Sequence, residues 1–242
     1  MVVAALLLVA CGRVDFTSID ARGDAPGDAA SEASDAPAIP WALVSDRSAT
    51  SGTLALPSVG SGHLLVVGVH VGVGGSVTAL ADDAGNTYTS VPAARASNTS
   101  MVGSDTLEVW YATDSRSGPT TITVSATDMV VSTIAWEVSG IRAANPVDTA
   151  VAISGQPATT TPMGPPITTA TAGEFVVSIA IVENGVSGTV AGNEFTNDFR
   201  TRGNGWAHLT DPAAPAGVHQ AVWNQGTAGS YCANAVAFFA GP

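Results

Sequence analysis

Residues 62–88 read GHLLVVGVHVGVGGSVTALADDAGNTY, and this stretch decides the fold. Leu64-Leu65-Val66-Val67-Gly68-Val69 has the composition of a buried strand, and Gly72 to Gly75 supplies a turn. Val77 to Leu80 reads as the next strand. It runs into Asp82-Asp83-Ala84-Gly85-Asn86-Thr87-Tyr88, where Gly85 and Asn86 tolerate positive φ and the aspartates can satisfy turn amides. Short β-rich runs cut by Gly and Asn are the pattern of a sandwich or barrel.

The pattern continues outward in both directions. Trp41 to Arg47, Thr53 to Pro57, Thr106 to Ala112, Thr120 to Ser125, Val130 to Val138 and Val147 to Ile153 all read as strands. Gly155 to Pro166 reads as a crossover into a second half that echoes the first. Gly173-Glu174-Phe175-Val176-Val177-Ser178-Ile179-Ala180 repeats the apolar positions of residues 62–69, Leu209 to Trp223 answers Ala112 to Val124, and Tyr231 to Phe239 answers Val131 to Val138. No run keeps a helical period. The expected fold is all-β: an antiparallel, jelly-roll-like β-sandwich with two similar halves, two Greek keys wrapped into one double sheet. It spans residues 41–242.

Composition sets the limits. A sandwich of about 200 residues buries roughly 70% of its unfolded-chain surface and needs neither disulfide nor metal to fold. The chain has 20 acidic residues against 8 arginines, no lysine and a net charge of −12. Such a field repels nucleic acid, and only Arg200 and Arg202 of the folded part lie close together in sequence, so no nucleic-acid partner is expected. Of the two cysteines, Cys232 sits in the apolar run Tyr231 to Phe238 and reads as a core residue.

The other cysteine has a different use. Val2 to Ala10 is apolar but too short to span a bilayer of about 30 Å. It ends in Leu8-Val9-Ala10-Cys11, which resembles the lipobox of bacterial lipoproteins. The resemblance implies a signal peptide at residues 1–10, cleavage before Cys11 and acylation of that cysteine. It thus implies an extracytoplasmic protein held to a membrane by lipid; Gly12, where an inner-membrane retention signal would have Asp, favours the outer membrane or cell surface. Met1-Val2-Val3 lacks the basic residue of a signal n-region, so either translation starts upstream or the signal is atypical. Residues 11–40 carry Asp15, Asp20, Asp24, Asp28, Glu32 and Asp35 among Ala, Ser, Gly and Pro, the composition of a disordered, self-repelling tether.

Within the folded part, Gly62 to Val67, Asp83 to Tyr88, Trp110-Tyr111-Ala112 and Trp136-Glu137-Val138-Ser139-Gly140 together resemble a β-sandwich domain that recurs in secreted and surface proteins of bacteria. That resemblance implies the fold and the location. It brings no activity and no functional residues.

Candidate chemistry is sparse. No serine sits in a Gly-x-Ser-x-Gly elbow. His208, Asp211 and His219 are the one grouping that could hold a base and its orienting carboxylate, although ordinary turn histidines fit as well. Glu108, Glu137, Glu174, Glu183 and Glu194 lie on or near strands, and glycosidic cleavage needs two acids roughly 5 to 9.5 Å apart. Alternation puts Glu137 on the solvent face opposite a core Trp136. Asp82, Asp83 and Asn86 gather oxygen ligands on one turn, which suits Ca²⁺, though an Asx-stabilised turn needs no ion. Trp206, flanked by Asp198, Arg202 and Asn204, is either a loop platform for a sugar ring or the start of a core strand. Trp110, Trp136 and Trp223 lie in strand interiors and read as core.

The function these residues suggest is a non-catalytic surface lipoprotein that binds or adheres, its ligand a glycan or an envelope protein. The alternatives are a glycan hydrolase using strand-borne carboxylates, tested at Glu137 and Glu183, and a purely structural envelope component. No cofactor is expected beyond the Ca²⁺ that the Asp82 turn would suit.

Overall fold

The computed structural model describes residues 40–98 and 104–241. The signal segment, Cys11 and almost all of the tether lie outside them. Residues 36–242 form one compact unit. Among the described residues there is no α-helix, and the only helical turns are of 3-10 type, Pro92–Ala94 and Thr201–Gly203.

The first half contains β1 (Ala42–Ala49), β2 (Thr53–Val59), β3 (Leu64–Val71), β4 (Val77–Asp82), β5 (Thr89–Ser90), β6 (Ala96–Asn98), β7 (Asp105–Ala112), β8 (Gly118–Ala126) and β9 (Val130–Ser139). They make a large sheet ordered β1-β9-β3-β7-β5, with β6 also on β7, and a small sheet β2-β8-β4. The second half contains β10 (Val147–Thr159), β11 (Ile167–Thr168), β12 (Phe175–Val182), β13 (Val186–Thr189), β14 (Phe195–Phe199), β15 (Gly205–Leu209), β16 (Val218–His219), β17 (Trp223–Gln225) and β18 (Gly229–Phe238). Its large sheet runs β10-β18-β12-β15-β14, the same winding order. The small sheet is split into two pairs, β11-β16 and β13-β17, so the run expected as one strand from Val218 to Trp223 is two.

Register confirms that the halves correspond. Leu64 pairs with Val138 and Val66 with Tyr111; Phe175 pairs with Phe238 and Val177 with His208. The turns entering the two central strands are also alike. Gly62 and Gly173 have φ of +75° and +76°, open to glycine at little cost, and each amide donates at 2.8 Å, to Ser115 O and Ala214 O respectively.

Each half is therefore a jelly-roll-like sandwich in its own right, and the two large sheets pack face to face, where the sequence suggested a single shared double sheet. Strand alternation assigns the cores. Leu64 and Val66 point into a central core with Phe175, Val177, Ile179 and Trp206. Leu65, Val67, Val69 and Val71 point the other way, onto Leu54, Leu56 and Ile122 of the small sheet. Val176, Ala180 and Val182 do the same in the second half, against Trp223 and Phe195. The central antiparallel strands are thus buried on both faces, which is why their sequences run continuously apolar instead of alternating. The sheets come close at Gly68, where a Cβ would lie 2.6 Å from Ile179 Cδ1 and 2.7 Å from Trp206 Cζ3.

Hydrogen bonds around the apolar centre fix the alignment of the two halves. Trp136 Nε1 donates to Asp198 (2.7 Å), Asn204 Nδ2 to His70 Nδ1 (2.9 Å), Asn234 Nδ2 to Ala94 O (2.6 Å) and Thr201 Oγ1 to Ser48 Oγ (2.8 Å). Buried polar groups like these tolerate few alternative arrangements.

Candidate functional site

Of the two places expected for Trp206, the structure has the core strand and not the sugar platform. Trp206 is fully buried in the central core, lying on Gly68 of the opposing sheet, so no ring can stack on it. The Gly-rich segment before it is not an open loop: it makes a 3-10 turn at Thr201–Gly203 and then enters β15. Its neighbours are occupied as well. Asn204 is buried, accepting from Val182 N and donating to His70. Asp198 accepts from Trp136 Nε1 at 2.7 Å and from His208 Nδ1 at 2.8 Å, with its side chain 3% exposed. Of the four, Arg202 alone is exposed.

The expected histidine grouping also separates. His208 pairs with Asp198, His219 is held between Glu194 (2.9 Å) and Pro215 O, and Asp211 accepts from Ala213 N. Burial, with the charge of Asp198, pushes the nearby Asp46 carboxyl up, partly offset by His208 and Arg47. Cys232 is buried in the central core, its thiol pushed up to about 12 by burial and then by Asp105, which leaves it unreactive.

At the Asp82 turn the protein supplies its own donors. Asp82 Oδ1 accepts from Asn86 N, and Asp82 Oδ2 from Asn86 Nδ2 and the Tyr88 hydroxyl, at 2.7–2.9 Å. Asp83 accepts from Thr121 N, and Asn86 Oδ1 from Arg116 N. These oxygens pin the turn to the loop before β8 and to β8 itself. Among the described residues no three His, Cys, Asp or Glu side chains are grouped to hold a metal ion.

Glu137 is not on a solvent face. It is fully buried, because the small sheet and its loops cover that side of β9 as well. Its carboxylate accepts from Gly60 N (2.7 Å), His63 Nδ1 (2.7 Å) and Ser45 Oγ (2.8 Å), tying β1 and the β2–β3 turn to β9. Glu183 is exposed, and its Oε2 accepts from the amide and hydroxyl of Ser230.

Glu108 differs from all of these. On β7, Leu107 and Val109 face the central core, so Glu108 and Trp110 face the other way, toward β4. There they meet a pocket of about 240 Å³ lined also by Val77, Val91, Pro92 and Arg95. The 3-10 turn Pro92–Ala94 delivers Arg95 to its rim, with the side chain half exposed. The Glu108 side chain is 10% exposed and accepts from Val77 N at 3.1 Å and, at longer range, from Trp110 Nε1 at 3.3 Å and Arg95 Nε at 3.4 Å. Charge-assisted bonds normally close to about 2.7–2.9 Å. Glu137 has that geometry; Glu108 holds its three donors more loosely, has about one of a carboxylate's four lone-pair sites left over, and lines the cavity.

The second half lacks this arrangement. By register Glu108 corresponds to Gly205, since Val69 pairs with Glu108 and Ala180 with Gly205. A Cβ on Gly205 would meet Trp223 Nε1 at 2.5 Å, so the buried indole of Trp223 fills the place of the carboxylate and is fixed by its bond to Asn197 Oδ1. One cleft is open and holds a carboxylate while its counterpart is plugged.

Sequence reasoning passed over Glu108 as one strand carboxylate among several and took Trp110 for a core residue. The pocket joins residues 77, 90–95 and 108–110, and no local spacing marks them as a group. Comparison of the chain with protein-family models, with curated proteins and with solved structures finds no match.

Proposed function

We propose that this protein is a lipid-anchored, extracytoplasmic lipoprotein whose β-sandwich binds its ligand, a glycan or an envelope protein, without converting it. The lipobox-like Leu8 to Cys11 and the acidic tether support the anchoring and the location. The observation that carries the binding role is the pocket over Glu108: a concave, mostly apolar site with a few convergent polar groups, the usual form of a ligand site.

A hydrolase working through paired carboxylates needs a second acid across the cleft. Glu108 is the one acid among the residues lining this pocket; Glu137 spends both its oxygens on structural donors and Glu183 its Oε2. The test is a glycan array probed with residues 36–242, with release of reducing ends followed on every glycan bound. Saturable binding without release is the expected result. Release that disappears in Glu108→Gln would replace the binding role with a hydrolytic one. Anchoring is tested separately by mass spectrometry of the native protein, where diacylated Cys11 is expected and an unmodified Cys11 contradicts it.

A further inference from the structure

Resting on that binding role, we propose that the Glu108 pocket takes a single neutral sugar ring. Size comes first. At about 240 Å³ the pocket falls below the roughly 300–1,000 Å³ of sites for drug-sized ligands, so it admits one ring and not a chain lying inside it.

Charge comes next. An anion would face Glu108 in the pocket lining, in a chain of net charge −12. A cation would have to compete with Arg95, which already lies 3.4 Å from that carboxylate. A neutral ligand suffers neither repulsion.

Hydrogen-bond chemistry narrows it further. Glu108 accepts from Val77, Arg95 and Trp110, which leaves about one of a carboxylate's four lone-pair sites for a ligand, and the half-exposed Arg95 guanidinium beside it offers donors. An adjacent acceptor and donor match two neighbouring hydroxyls of one ring, each of which can both donate and accept. Val77, Val91 and Pro92 supply the apolar wall that a sugar's C–H face needs, with the partly exposed Trp110 indole beside them. In the second half the plug at Gly205 and Trp223 removes the carboxylate and the space together, which confines the site to one per chain.

The test is calorimetric titration of residues 36–242, the compact unit, with D-glucose, D-galactose, D-mannose and N-acetyl-D-glucosamine, and with glucuronate and choline as charged comparators. At least one neutral sugar is expected to bind one per chain, with affinity at least tenfold weaker in Glu108→Gln and in Arg95→Ala. Arg95 is half exposed, so its variant keeps the fold even if Glu108→Gln does not. Saturation by a charged comparator alone, or by no neutral sugar, overturns the sugar assignment. Sugar binding unchanged in both variants overturns the location while leaving the binding role standing. The binding role itself falls on the separate observation of glycan turnover.

Discussion

Truncating Trp206 separates a core role from a ligand role. Trp206 is fully buried between the two large sheets, and the space beneath it exists because Gly68 has no side chain. Its Nε1 has no hydrogen-bond partner in the protein, so truncation strands no polar group and the loss is one of packing alone. Replacing a buried Trp by Ala costs about 3–5 kcal/mol. Against a total stability of about 5–15 kcal/mol this is a large fraction. In a domain of this size each kcal/mol moves Tm by about 2–4 °C, so Trp206→Ala should lower Tm by roughly 6–20 °C. Urea unfolding followed by circular dichroism should show a lowered midpoint with an unchanged slope. Trp110→Ala, at a partly exposed position beside the pocket, should cost about 1 kcal/mol. If Trp206→Ala loses less than about 1 kcal/mol, or Trp110→Ala loses as much as Trp206→Ala, the face-to-face packing of the sheets is wrong.

Other perturbations read other parts of the structure. Glu137→Ala strands the Gly60 amide, the Ser45 hydroxyl and the His63 ring, and should lower unfolding free energy by about 3 kcal/mol or more while leaving sugar affinity unchanged; urea unfolding and titration together check both halves of that statement. Asp82→Ala removes the acceptor of Asn86 and Tyr88 and should lower Tm equally in calcium and in EDTA, whereas a loss seen only in calcium would make the turn an ion site. Burial raises the carboxyls of Asp46 and Glu174, with Asp198 and Asp148 respectively adding to the shift. A carboxyl raised on folding holds its proton more tightly in the native state, so it subtracts stability as pH rises from its unfolded value, about 4, through its folded one. Asp46→Asn and Glu174→Gln should therefore gain stability relative to the parent at pH 8 more than at pH 4, as read by unfolding at both values.

Much of the fold was legible because its signals are local. The run at Leu64 to Val69 and its echo at Phe175 to Ala180 mark the two central strands, and their lack of alternation already fits burial on both faces. A further sign was in the sequence too: Ala84-Gly85-Asn86 recurs as Ala191-Gly192-Asn193 at the equivalent turn. What misled was the assumption that an antiparallel sheet keeps one wet face. Glu137 looked exposed because Trp136 was core, but a small sheet covers the far side. For Trp206 the small and polar residues before it left a loop platform open beside a core strand, and the structure takes the core strand, with Gly205 small to admit Trp223. Glu108 could not have been singled out, since two of its three partners come from residues 77 and 95, and only the fold brings them together.

The most direct measurement uses the indoles already present. Of the five tryptophans, Trp41, Trp136, Trp206 and Trp223 are at most 4% exposed, and Trp110 is partly exposed beside the pocket. Acrylamide should therefore quench essentially one indole. A saturating neutral sugar should protect it, and Trp110→Phe should abolish both the quenchable fraction and the protection. Quenching that a saturating sugar leaves unchanged, or that persists in Trp110→Phe, would place the ligand elsewhere and contradict the assignment of this pocket.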